Sequence, residues 1–518
     1  MRPAVALTYV GLVTLLVGVA DYYGDLASRY RFVDDAQAHI FWTYRYRDPE
    51  LFPHDIYADY YSSTMAPAGF RALYFVAAQG IDPLLFSKLL PFALLAVVVG
   101  YAWRLGSALE PRWGGLVAGL LILEYSGNCR GGMPRSFFLA LLVPHVYYLV
   151  TRRFGAASAL LVLEGLFEPV AFCLGFGLQG VSLLRDLVRD PAGALSARLR
   201  ARRYQLGLFL GGAAVAVSIV WATQVLYRPV FIGPAFSRSE AVQMPEFRPG
   251  GREPFFDPDL LRFYLWSDSS GVGLHWRLGK LLLAVAVLLA LVGRRVLLTP
   301  PISIDLVAVS LLLFACSHLV FPQLYFPNRY VRYTLPLAAV LTIAFHGRAA
   351  VARVQRWVPE RLWPRGRYAR WGAALATGGL VLVVLAGAVR TVVVSSRRAD
   401  PVAADLYDFL ATLPKASVIA GTAHGLDAVP LLARRKIFWH PEFHAPFFKG
   451  YYRLVQERRA ALAALEARHY AGIDRFCEDF GVTHFVFDRT RPLPPVVSAR
   501  PPLFEDAGFL VTSCAPRR

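Results

Sequence analysis

The sequence predicts an α-helical polytopic membrane protein of about 11 transmembrane segments with a small C-terminal α/β extracytoplasmic domain. Three observations carry that expectation. Of 518 residues, 56% are hydrophobic and 18% are charged, where a soluble domain is about a quarter charged. Apolar runs of about 18 residues recur, separated by short Arg-rich loops. From Ser395 onward the texture changes to alternating short helical and strand patterns.

The elements follow in order. Pro3 to Ala20 is apolar behind a single Arg. "GVADYY" has the look of a cleavage site, but the run exceeds a signal peptide's apolar core, so it reads as an uncleaved first span with a cytoplasmic N-terminus. Further spans are expected at Leu85–Ala102, Trp113–Tyr125, Phe137–Val150, Leu206–Leu226, Leu274–Val292, Ile302–Phe321, Tyr333–Phe345 and Trp371–Val389. The basic loops orient them. Arg152-Arg153, "RDLVRDPAGALSARLRARR", Arg294-Arg295 and "RAAVARVQRWVPERLWPRGRYAR" belong on the cytoplasmic side. The formal charge of +19 is thus a topology signal, and no nucleic-acid partner is expected.

Phe154 to Leu184 lies between two basic clusters, so it must cross and return. Its 31 residues extend about 46 Å as helix, against roughly 60 Å for two full crossings. Two short helices meeting near "EGLFEPV" fit, with Pro169 as the breaker and Glu164 and Glu168 as acids facing a polar cavity. A single span with one failure of the charge rule is the alternative.

The expected domains are 1–394, a transmembrane unit whose first outward loop is 21–84, and 395–518, an extracytoplasmic α/β unit. In the latter, "AADLYDFLATLP" and "GYYRLVQERRAALAALEARHY" have helical period, "ASVIAG" and "THFVFD" read as strands, and "GTAHGLDAVP" reads as a strand-to-helix turn. The five cysteines show neither metal-ligand spacing nor a disulfide framework.

The first loop concentrates chemistry. Asp34 and Asp35 open "AQAHIFWTYRY", which together with "PAGFRALYFVAAQ" suits interfacial helices. A carboxylate there can act as a general base between water and the bilayer; an ordinary helix N-cap is the competing reading. His39, His54, Asp55 and Asp59 are candidate substrate-binding residues. "DPD" at Asp257 to Asp259 resembles an acidic metal motif, although Asp259 also suits a helix cap. No P-loop, dinucleotide fingerprint, zinc spacing or nucleophile elbow is present.

This order of features resembles the GT-C superfamily of membrane glycosyltransferases, such as the protein O-mannosyltransferases and aminoarabinose transferases. The shared features are a first span, an acidic pair, interfacial helices, many spans and an outward C-terminal domain. The resemblance covers the whole chain in architecture. It implies that the acidic pair acts on the acceptor, although Asp34-Asp35 stands here where those families carry Asp-Glu. It further implies a polyprenyl-phosphate-linked sugar as donor, membrane lipid as surroundings, no nucleotide cofactor, and an acceptor that is a glycan, lipid or protein; a divalent metal stays open. Arginines suit the donor phosphate. Arg329 and Arg332 in "YFPNRYVRY" are the first candidates, and Arg130 and Arg135, flanking "GGMP", the second. The reading is an inverting transfer at the outer face of the cell membrane. Its alternatives are a transporter or flippase of a lipid-linked glycan and a non-catalytic scaffold for envelope assembly.

Overall fold

The structure, a computed structural model, describes residues 3–33, 35–111, 115, 123–189, 195–274, 276–292, 299–357, 385–397 and 401–514. Asp34 and most of the expected spans at Trp113–Tyr125 and Trp371–Val389 lie outside the described residues. Helix α1 (Pro3–Leu26) leads into a loop that folds as α2 (Ala36–Ile40), α3 (Ile56–Tyr60) and α4 (Ala68–Ala78). The bundle continues with α5 (Pro83–Leu109), α6 (Phe137–Val150), α7 (Phe154–Phe167), α8 (Pro169–Arg189) and α9 (Leu195–Trp221). It is completed by α10 (Trp276–Val292), α11 (Pro301–Leu319) and α12 (Thr334–Trp357). Among the described residues, five helices are long and apolar enough to cross a membrane: Leu7–Leu26, Pro83–Leu109, Pro169–Arg189, Leu195–Leu226 and Pro301–Leu319. Shorter apolar helices lie between them.

Neighbours in space are α1 with α5, α5 with α6, α6 with α7, α7 with α8 and α9, α8 with α11, and α11 and α10 with α12. The reversal between α7 and α8 sits at Glu168, whose backbone is extended (φ −152°, ψ 90°). A proline disfavours the helical region for the residue before it, so Pro169 both ends α7 and starts α8. Helices α7 and α9 approach closely because Gly212 carries no side chain. A Cβ there would lie 2.7 Å from the Ser158 carbonyl oxygen. Small residues at such crossings let helix backbones pack where lipid supplies no hydrophobic drive.

The C-terminal unit contains α13 (Ala404–Thr412), α14 (Lys449–Ala467) and α15 (Ile473–Phe480) around a five-stranded sheet. Its strands are β1 (Val418–Gly421), β2 (Lys436–Ile437), β3 (His484–Asp488), β4 (Pro502–Glu505) and β5 (Phe509–Ser513), in the order β2-β1-β3-β5-β4. β1 runs parallel to β2 and β3, and β5 is antiparallel to β3 and β4. The cysteine reading needs correction. Cys477 on α15 and Cys514 after β5 form a disulfide, with Cα atoms 5.9 Å apart. The pairing of β5 with β3 creates that proximity across 37 residues of chain, so spacing alone could not reveal it.

One face of α14 packs a buried polar cluster. Glu246 accepts hydrogen bonds from Tyr452 (2.8 Å) and Gln456 (2.7 Å), and the buried His444 ring stacks on Tyr452 at 5.5 Å. Burial pushes the His444 imidazole down to about 4; Glu246 opposes the shift, and Arg459 and Arg252 add to it. An unfolded histidine titrates near 6.5. The unfolded chain therefore takes up this proton first, and stability falls as pH drops from about 6.5 towards about 4. Thermal-unfolding midpoints across that window should fall less steeply for His444→Gln than for the wild type. Parallel curves for the two proteins would rule out this contribution.

Candidate functional site

The first loop and the C-terminal unit lie together over one end of the bundle. Gln37 donates to Asp427 (2.8 Å), Tyr57 to the Phe438 carbonyl (2.9 Å) and Tyr61 to the Glu442 carbonyl (3.4 Å). Lys415 bridges Asp48 and Glu50, each at 2.7 Å. Beneath this seam is a cavity of about 820 Å³. Asp35 and His39 contribute from α2 and its cap, Glu168 and Cys173 from the α7–α8 reversal, and Tyr325, Arg329 and Arg332 from the segment before α12. The end of α9 and its continuation supply an apolar wall, and Glu442 and Phe448 reach in from the C-terminal unit.

The Asp35 Oδ2 forms an ion pair with Arg135, leaving Oδ1 outside that contact. Arg135 is placed by the turn Pro134–Ser136, where the Ser136 hydroxyl accepts from the Met133 amide at 3.1 Å. One helical turn beyond Asp35, the His39 amide donates to the Asp35 carbonyl (3.2 Å), and the His39 ring meets Tyr61 edge-on at 5.5 Å. Burial pushes the His39 imidazole down to about 4 against the pull of Asp35, so it is neutral at physiological pH and offers both a donor and an acceptor.

Arg329 is half-buried, with its guanidinium 5.7 Å from the centre of the Tyr325 ring. Asp35, Glu168 and Glu253 are within its electrostatic reach. No hydrogen bond or ion pair engages its side chain among the described residues. Tyr325 itself has a left-handed backbone (φ 61°), a strained conformation for an aromatic residue, held where it meets Arg329. Arg332 is exposed and lies 5.8 Å from the Tyr333 ring. The two arginines do not share one regular helix: Arg329 is in the tight turn Pro327–Tyr330, and Arg332 follows it before α12.

The other predicted residues lie elsewhere. Arg130 is held bidentately by Asp25, with both contacts at 2.7 Å, and ties its loop to α1. Asp55 is the N-cap of α3, accepting from the Ala58 amide at 2.8 Å. Asp59 pairs with Arg45 at 2.6 Å, and His54 is an exposed turn residue. Glu164 is fully buried one turn below Glu168, its Oε1 2.9 Å from His145 Nδ1, and does not line the cavity. Asp259 caps the turn beginning at Leu260, accepting from the Leu261 and Arg262 amides, and Asp257 pairs with Arg262 at 3.2 Å.

Sequence reading passed over Arg228, Arg252, Glu253 and Glu442, all of which line the cavity. Arg228 lies 4.3 Å over the Phe448 ring, and its Nε is buried without a partner. Arg252 pairs with Glu442 at 2.8 Å. The available signal was the charge of "RPGGREP" between two spans, a pattern shared with ordinary loops.

No protein-family model matches the chain, and no curated protein matches it. Solved structures do match. One is ArnT from Cupriavidus metallidurans bound to undecaprenyl phosphate, similar over 98% of each chain with a TM-score of 0.50 and 14% identity. At that identity the likeness is one of fold: the chain has an ArnT-like architecture, a helical membrane bundle carrying a small C-terminal sheet unit.

Proposed function

We propose that this chain is a membrane glycosyltransferase that moves a sugar from a polyprenyl-phosphate donor to an acceptor, with inversion. The observation that carries the reading is one cavity in which the Asp35 carboxylate, several arginines and an exposed apolar helix end meet. Asp35, Arg135, Arg329 and Arg332 share it with Val217, Trp221 and Val225, which are 53%, 54% and 54% exposed. The apolar side suits a prenyl chain, and the arginines suit a phosphate. The bound undecaprenyl phosphate in the ArnT structure supports a lipid phosphate as ligand. The acceptor hydroxyl attacks the anomeric carbon while its proton passes to Asp35 Oδ1. The C–O bond to phosphate breaks, and its electrons leave with the polyprenyl phosphate. Arg135 orients the base, and Arg329 stabilises the charge on the leaving phosphate. No nucleotide cofactor takes part in this scheme.

Transport is disfavoured by the cavity's place at one end of the bundle. Below it, α6, α7 and α8 pack around the buried His145–Glu164 and Ser158–Gln179 pairs. The C-terminal unit is assigned to the extracytoplasmic side by the basic loops, and its disulfide suits an oxidising compartment. A reporter active only in the cytoplasm, fused after Arg518, should give no signal; full signal would reverse the topology.

Two further measurements test the chemistry. Arg329→Ala or Arg332→Ala should weaken undecaprenyl phosphate binding in nanodiscs by about 1.5–3 kcal/mol, the scale of a charge-assisted hydrogen bond. Lysine at either position should restore only part, because the planar fork is lost. Arg130→Ala and Arg353→Ala serve as controls and should leave affinity unchanged. Equal affinity across all variants would reduce the pair to headgroup anchors. In a reconstituted transfer assay, Asp35→Asn should lower turnover about 10²–10⁴-fold with insertion intact. Wild-type turnover in both Asp34→Asn and Asp35→Asn would remove the base from this loop.

A further inference from the structure

Glu253 is a cavity acid that the scheme above leaves unused. Asp35, Arg252, Arg329, Tyr60, Tyr61 and Tyr325 are within its electrostatic reach, and Asp35, Arg252, Arg329, Tyr61 and Tyr325 line the same cavity. Glu253 lines the cavity half-buried, and its carboxylate has no hydrogen bond or ion pair among the described residues. Among the other lining acids, Asp35 is engaged by Arg135 and Glu442 by Arg252, Asp268 has an interaction of its own, and Glu168 is buried at the α7–α8 reversal where Glu253 is half-exposed to the cavity.

The backbone around Glu253 is built to hold it there. The segment folds back on itself, the Glu253 amide donating to the Glu246 carbonyl (2.9 Å) and the Phe255 amide to the Phe247 carbonyl (2.9 Å). The fold-back requires glycine at 251, where a Cβ would lie 2.3 Å from the Pro245 carbonyl oxygen. The segment leading into Glu253 is tied to the C-terminal unit at two points, through Glu246 to Tyr452 and Gln456 and through Arg252 to Glu442. Held by these ties before it and by the Phe255–Phe247 hydrogen bond after it, Glu253 is presented as a positioned group.

We propose that Glu253 grips neighbouring hydroxyls of the sugar on the polyprenyl phosphate and thereby selects the donor by its sugar. The inference rests on the donor reading above and adds the residue that discriminates within it. A carboxylate repels a phosphate, so the lipid's anionic group belongs at Arg329, and Glu253 must meet a part of the ligand that donates hydrogen bonds. Adjacent sugar hydroxyls match the two oxygens of a carboxylate as a pair of parallel donors. Held between Arg329 and Glu253, the sugar ring has its anomeric end turned towards the phosphate and within the same cavity as Asp35. Burial raises the proton affinity of the Glu253 carboxyl, with Arg252 and Arg329 opposing.

The test compares two lipids on the full chain in nanodiscs: undecaprenyl phosphate alone, and undecaprenyl phosphate carrying a neutral hexose or pentose. The wild type should bind at least one glycosylated lipid more tightly than the bare one. Glu253→Ala should erase that preference, a loss of about ten- to a hundredfold, while affinity for the bare lipid stays equal or improves. Unchanged binding of the bare lipid also reports that the variant is folded. Glu253→Gln, which keeps one acceptor oxygen, should fall between. Arg329→Ala should weaken both lipids alike. If Glu253→Ala weakens both lipids equally, or changes neither, or if the wild type shows no preference for any glycosylated lipid, the inference is overturned. If the wild type binds neither class of lipid, the donor reading itself falls, a different result from the loss of sugar discrimination.

Discussion

The cavity depends on the hydrogen-bonded seam between the first loop and the C-terminal unit. A loop of short helices such as α2, α3 and α4 has too little buried surface to keep one shape by itself. Here each segment has a partner: Gln37 on Asp427, Tyr57 on the Phe438 carbonyl, Arg434 on Asp82 at 3.0 Å, and Lys415 on Asp48 and Glu50. Most of these contacts are individually modest. Their value is geometric, because they hold Asp35 and His39 at fixed positions relative to groups on the bundle. Aromatic packing fills the space between, with Tyr60 stacked on Tyr451 at 3.8 Å and Phe41 edge-on to Phe443 at 5.6 Å. The C-terminal unit thus acts as the plate against which the loop is set.

Charge inside the cavity is arranged by pairing some groups and leaving others to face the opening. Arg135 and Arg252 are neutralised by Asp35 and Glu442, whereas Arg329 and Arg228 rest on aromatic faces. An arginine stacked on a ring keeps its fork of donors directed outward, at less desolvation than a buried ion pair would demand. The result separates an arginine-rich region suited to an anion from a carboxylate suited to hydroxyls, within one space. A bundle with only paired charges could be stable yet would have nothing to offer a phosphate.

The sequence made some of this legible and hid the rest for physical reasons. The α7–α8 reversal was visible because Pro169 constrains its predecessor and because two flanking basic clusters force the chain to return. Asp35, His39, Arg135, Arg329 and Arg332 could be singled out because charge beside apolar runs is conspicuous, and all five line the cavity. Arg130 looked equivalent to Arg135 in the sequence; only the fold shows Asp25 beneath it. Asp55 and Asp59 carried the same ambiguity, and local capping and pairing account for them. Arg252 and Glu253 stayed hidden because their place is set by anchors such as Tyr452 and Glu442, some 190 or more residues away. The disulfide is hidden for the same reason, since it is the pairing of β5 with β3, distant in sequence, that brings Cys514 to α15.

The strand order carries a consequence for how the molecule is assembled. β5 is the latest strand in the chain, yet it lies inside the sheet, between β3 and β4. The sheet therefore cannot close until the ribosome has passed residue 513, and until then β3 has an open edge. The plate that orders the first loop is finished after every helix of the described bundle has been made. Biogenesis thus runs opposite to chain order at the site. Asp35 and His39 are synthesised early, whereas Asp427, which holds neighbouring Gln37, follows 390 residues later.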